Sequence, residues 1–170
     1  MGERICIMKE GRIVQVGEPL EVYRRPANTF VAGFLASPPM NLLPARLAEE
    51  KPGILTLRAA GIGFDLPAEQ AEIYRAYAGK EVILGIRPED MHEAQQRPEW
   101  PGIEGSVVAL EALGAEVVLI LSLGEPAAVE LSARLGRNFR APIGSRQRLH
   151  VDPAEMHLFD PATTAAIRRP

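Results

Sequence analysis

Glu81-Val82-Ile83-Leu84-Gly85-Ile86-Arg87-Pro88 reads as a strand with one face turned to a core. Successive side chains of an extended chain point to opposite faces, so Val82, Leu84 and Ile86 share one side. Arg87-Pro88 ends the run, because proline withdraws a ladder donor and holds the residue before it extended. The same kind of run recurs outward. Upstream lie 42–47, 54–58 and 61–66; downstream lie 103–110, 116–123, 127–131 and 147–151. Ala127, Val129 and Leu131 alternate cleanly, a half-buried antiparallel pattern. Residues 116–123 are apolar on both faces and belong inside a sheet. At the start of the chain, 4–8 and 12–16 flank Lys9-Glu10-Gly11, a hairpin with glycine where positive φ is needed. Fifteen glycines and fifteen prolines cut the chain into these short pieces.

Helical signals are few. Residues 67–78 begin with Pro67, carry Glu69 and Glu72 near the positive end, and stop at Gly79. Residues 18–24 carry Pro19 in the first turn. Asn28 caps 29–35, where Phe30, Val31, Phe34 and Leu35 form an apolar stripe. Ser37-Pro38-Pro39 ends that helix and marks a boundary between residues 1–39 and 40–170. Many short strands with few helices predict a small antiparallel barrel or sandwich.

Composition narrows the function. The 170 residues are 46% hydrophobic and 24% charged, enough for a packed core. A net charge of −3 and 5% aromatics argue against a nucleic-acid partner, which needs a basic face and stacking platforms. The single Cys6 excludes an internal disulfide and reads as a small core residue of an apolar strand. The longest apolar run, 117–121, is far too short to cross a bilayer, so no direct membrane insertion is expected. No catalytic, metal-binding or cofactor-binding constellation emerges. The phosphate-cradling G-x-x-x-x-G-K-[ST] pattern is absent, and Gly61-Ile62-Gly63 reads as a hairpin turn. His92, His150 and His157 lack the short spacing of a metal pair, and His150 is expected to face solvent. Asp152 and His157 have no nucleophile elbow to serve. Arg134, Arg137, Arg140, Arg146 and Arg148 read as a solvated face or as inter-subunit ion pairs.

Four stretches carry a family resemblance. The run from Met1-Gly2-Glu3-Arg4-Ile5-Cys6-Ile7-Met8 through Lys9-Glu10-Gly11-Arg12-Ile13-Val14-Gln15-Val16-Gly17 resembles the segment after the switch histidine of ATP-binding-cassette (ABC) ATPases. Pro19-Leu20-Glu21-Val22-Tyr23, Phe30-Val31-Ala32-Gly33-Phe34 and Ser37-Pro38-Pro39-Met40-Asn41 resemble the exit from that domain. Leu84-Gly85-Ile86-Arg87-Pro88-Glu89-Asp90 is similar to the G-I-R-P-E motif of the appended domain, and His157-Leu158-Phe159-Asp160 to its closing motif. The family is the maltose/glycerol-3-phosphate-type importer ATP-binding subunit, whose tail is a transport-associated oligonucleotide-binding-fold (TOBE) domain.

The resemblance implies a mainly β fold: an oligonucleotide-binding-like antiparallel barrel over 40–170, with one or two short helices, preceded by a hairpin–helix remnant of an ABC ATPase over 1–39. It implies a regulatory, dimer-organising role in solute import, of sugars or glycerol phosphate, at the inner face of a bacterial plasma membrane. The runner-up is the tail of a polyamine or iron importer; a different class is a free-standing oxyanion sensor. None of the phosphate loop, signature, catalytic glutamate or switch histidine can be assigned, so no ATPase activity is expected of this chain. ATP and magnesium are implied only for a longer relative, and the chain reads as its truncated or incompletely encoded end. The motif residues Gly85, Ile86, Arg87, Pro88 and Glu89 are expected to form a structural corner, with Glu89 near Arg87. Leu158 and Phe159 are expected to plug the barrel end, with His157 and Asp160 flanking them. A homodimer is expected, and permease subunits are partners through the full-length protein. Ile5, Ile7, Val14, Val16, Phe30 and Phe34 are candidate oligomer contacts, since an orphan hairpin needs a surface to cover it.

Overall fold

The computed structural model describes residues 3–94, 96, 97, 100–124 and 129–168. The strands are β1 (Ile5–Lys9), β2 (Arg12–Gly17), β3 (Asn41–Lys51), β4 (Ile54–Ala59), β5 (Ile62–Asp65), β6 (Glu81–Ile86), β7 (Met91–His92), β8 (Gly102–Ala112), β9 (Glu116–Ser122), β10 (Glu130–Gly136), β11 (Arg146–Val151) and β12 (His157–Phe159). The helices are α1 (Pro19–Arg24), α2 (Thr29–Phe34) and α3 (Ala68–Tyr74). The chain is mainly β, and its strand pairs are antiparallel.

The strands beyond the hairpin fall into two five-stranded sheets, in the orders β12-β6-β3-β4-β5 and β10-β9-β8-β11-β7. In the second sheet β10 comes back beside β7, which curls it towards closure. Val82, Leu84 and Ile86 are buried, as alternation predicts. They join Leu43, Leu47, Leu55 and Leu57 of the first sheet and Ile103, Leu119, Leu121, Leu131 and Leu149 of the second in one core. Strand β9 lies between β8 and β10, an interior position that matches its two apolar faces. Turns follow the glycines. Glu10-Gly11 and Ala60-Gly61 both have positive φ at the two central positions, the twist that a two-residue hairpin requires.

Asn28 Oδ1 accepts from the Val31 amide at 3.0 Å, so α2 begins where the cap predicts. The helix expected over 67–78 is α3 followed by a 3-10 turn at Arg75–Tyr77. The strand expected at 127–131 lies further on, at β10, and Ala127 falls outside the described residues, as does Met1. Its outward Glu130 and Arg134 disguise an alternation that Leu131, Ala133 and Leu135 continue inward.

Two expectations about the N-terminal hairpin are corrected. Cys6 is exposed, because a two-stranded ribbon here has one covered face and alternation turns Ile5 and Ile7 towards it. Ile7 is buried within the chain against Val22 of α1 and Val31 of α2, so it is not a free oligomer contact. Ile5, Val14 and Phe30 pack partly on that small cluster. Val16 and Phe34 stay 41% and 60% exposed.

Candidate functional site

Arg87 connects the N-terminal helices to the β unit. It follows β6, and the fixed extended geometry before Pro88 (φ −75°, ψ 143°) aims it away from the ladder. Its guanidinium lies 3.7 Å from the centre of the Tyr23 ring of α1 and donates through Nη2 to the Tyr23 carbonyl. The residue is only 4% exposed, a depth at which an arginine needs compensation. Burial lowers its pKa, opposed by the charges of Asp90 and Glu155. Leu20, Tyr23, Arg24, Arg87, Glu89, Asp90, Glu155 and His157 line a cavity of about 490 Å³ at this junction. Burial, then the nearby Glu89 and Glu155, pushes the Asp90 carboxyl up to about 7, against the pull of Arg87. Burial, then the Arg87 and Arg168 cations, takes His157 down to about 4. Glu89 lines the cavity, while the close partner of the Arg87 guanidinium is Tyr23.

The other motif residues shape the joint. A Cβ on Gly85 would sit 2.6 Å from Met40 Sδ and 2.9 Å from Phe159 Cε2, so glycine is what lets those side chains close over β6. Ile86 and Pro88 are buried. In the closing motif, β12 pairs with β6, His157 opposite Gly85 and Leu158 opposite Leu84. Leu158 enters the main core. Phe159 is fully buried among Ala32 of α2, Met40, Ile83 and Ala166. Asp160 Oδ1 accepts from the Ala162 and Thr163 amides, each at 2.9 Å, which closes the turn after β12.

Sequence reasoning passed over Asn41 and Tyr23 as site residues. Asn41, 8% exposed, donates to the Ser132 carbonyl at 2.8 Å and accepts from the Ser132 amide at 2.8 Å, joining β3 of one sheet to β10 of the other. It also donates to the Ile86 carbonyl at 3.1 Å, beside Arg87. A buried asparagine opening a strand after Pro38-Pro39 is the local signal, but its partner lies 91 residues away.

Elsewhere the expected sites disperse. Arg134 pairs with Glu116 at 3.2 Å and Arg146 with Glu104 at 2.5 Å, both within the chain. Arg140 caps the carbonyls of Arg137 and Phe139, and Arg148 lies over Gly102. Asp152 accepts from the Ala154 amide. His150 lies on the outward face of β11, half-buried beside β7, with Nδ1 shielded. Among the described residues no three or more His, Cys, Asp or Glu side chains cluster as a metal site, and no helix is long and apolar enough to cross a membrane.

Residues 37–91 match the MalK OB fold domain and residues 84–159 the TOBE domain, the two overlapping on the Gly85–Asp90 motif. The sn-glycerol-3-phosphate import ATP-binding protein UgpC of Cereibacter sphaeroides is 41% identical over 165 residues, which is 96% of this chain and 42% of that protein. The trehalose/maltose import ATP-binding protein MalK of Thermococcus litoralis is 38% identical, over 98% of this chain and 45% of that protein. The chain carries the OB and TOBE domains found in ABC importer ATP-binding subunits. It matches a C-terminal region of them and spans a little under half their length. The fold of this ABC subunit region is oligonucleotide-binding-like: a molybdate-binding protein, ModG, superposes with a TM-score of 0.51 at 14% identity, covering 69% of this chain and 94% of that one. The Arg87 junction is thus the point where the family's TOBE motif meets the helices that precede the β unit.

Proposed function

We propose that this chain is the regulatory and dimer-organising end of an importer ATP-binding subunit, with residues 1–39 the end of the ATPase domain and 40–170 the TOBE unit. The observation that supports it is Arg87: the motif arginine is buried against Tyr23 of α1, which fixes the β unit to the ATPase-side helices. A joint of that kind passes movement of one body to the other. The chain alone neither binds nor hydrolyses ATP, and needs no cofactor. It acts at the inner face of the bacterial membrane beside permease subunits, as half of a homodimer. Cargo is of the sugar or glycerol-3-phosphate class, as the names of its relatives suggest.

The test is a graft of this chain in place of the matching C-terminal region of the C. sphaeroides UgpC protein. The graft should assemble with its permease and keep substrate-dependent ATP turnover, and Arg87→Ala should weaken that dependence while ATP binding persists. A graft that folds but leaves turnover indifferent to Arg87 overturns the coupling role. Light scattering of the isolated chain should give a dimer at micromolar concentration, and a monomer counts against dimer organisation. Saturable micromolar binding of molybdate in calorimetry would favour the oxyanion-sensor reading instead.

A further inference from the structure

The motif segment passes directly into the two-residue strand β7, and β7 pairs with β11 so that His92 stands opposite His150. Directly opposed residues of an antiparallel pair share a face, with Cβ atoms about 5 Å apart. Their neighbours Met91 and Val151, also opposed, point into the core, so both histidines face outward. Both are half-buried. The His150 ring has no hydrogen-bond or ion-pair partner among the described residues, and its Nδ1 is shielded from solvent. His92 is fixed from two sides: its ring stacks on Trp100 at 5.0 Å, and its Nδ1 meets Gln96 Nε2 at 3.2 Å. A fixed imidazole opposite an unpartnered one is the arrangement that a divalent transition ion bridges. Ion–nitrogen bonds of about 2 Å put the two ligating nitrogens roughly 3 Å apart, within reach of side chains on opposed Cβ atoms.

We propose that His92 and His150 form a two-imidazole site for a divalent transition ion of the zinc, nickel or copper class, its remaining positions filled by water. Imidazole selects this class over magnesium and calcium, which take oxygen ligands. The ion ties β7 to β11. It therefore holds the segment that follows Arg87 and Asp90, so occupancy stiffens the junction from its far side.

Trp100 is the chain's single tryptophan, and its contact with His92 supplies the readout. Copper(II) chloride titrated into the chain should quench tryptophan fluorescence saturably in the micromolar range, and EDTA should restore it. Zinc chloride should raise the melting temperature over the same range. His150→Gln leaves the His92–Trp100 stack in place and should weaken both effects at least tenfold. Cys6→Ser, which removes the exposed thiol, should change neither. His150→Cys in the Cys6→Ser background should recover zinc binding, because thiolate is also a zinc ligand. Quenching that is unchanged in His150→Gln, or that fails to saturate below about 0.1 mM, overturns the site.

Discussion

Gly85 shows how much a motif position can depend on a missing atom. Met40 and Phe159 close over it at distances that no Cβ tolerates, and both are buried. Gly85→Ala should cost about 2 kcal/mol by overpacking, read as a lower urea midpoint with an unchanged slope. At the same joint two groups titrate in opposite senses. His157 resists protonation down to about 4, so the unfolded chain binds its proton first and stability from this group falls as pH drops from about 6.5 to 4. Asp90 keeps its proton up to about 7, so stability from this group falls as pH rises from about 4 to 7. Over pH 4.5–6.5 the two slopes oppose each other. His157→Gln should therefore become less stable as pH rises through that window, and Asp90→Asn more stable, both relative to the parent chain. Urea unfolding at the two ends of the window checks this, and parallel curves for all three proteins would refute it.

Strand β6 was legible in the sequence from its alternation, whereas the alternation at 127–131 pointed to a strand that lies further on, at β10. Strands β7 and β12 are two and three residues long, too short for periodicity to register. They exist because longer neighbours supply the ladder. Pairing across sheets was not legible at all, since Asn41 and Ser132 meet only in the folded chain. Tyr23 meets Arg87 across 64 residues of sequence, so a motif match could mark Arg87 but not name its partner. The division into two sheets makes Asn41 the polar link between them. Asn41→Ala leaves the Ser132 amide and carbonyl unpaired at a buried seam and should cost about 2–3 kcal/mol. Hydrogen exchange should then quicken at β10 more than at β4, which pairs with β3 only from Ala45 onward, beyond Asn41. Equal acceleration of the two strands would mean that Asn41 supports the fold globally rather than at the seam.

Across the whole chain, the N-terminal hairpin and helices have a core of their own that is too small to stand alone. Its fully buried members are Ile7, Val22 and Val31, and an isolated two-stranded hairpin is marginal in water. The C-terminal tail makes good the deficit. The Thr29 amide donates to the Thr164 carbonyl at 3.0 Å and the Ala166 amide to the Ala27 carbonyl at 2.9 Å, while the Ile167 amide donates to the Leu158 carbonyl of β12 at 2.8 Å. Arg168 donates to the carbonyls of Arg25 and Pro26. The tail thus lies between the N-terminal segment and the β unit and bonds to both. Removing residues 162–170 leaves the Arg87–Tyr23 contact and the packing of Ala32 on Met40 and Phe159 to hold the N-terminal part. Deuterium uptake in peptides from β1, β2 and α2 should then approach that of the unfolded chain, while peptides from β3, β6 and β9 stay protected, because their shared core does not depend on the tail. Retained protection at Ile7 and Val31 would show that the Arg87 joint and the Ala32 packing suffice. Loss of protection in both parts together would show a single cooperative unit, in which the hairpin and helices support the sheets as much as the sheets support them.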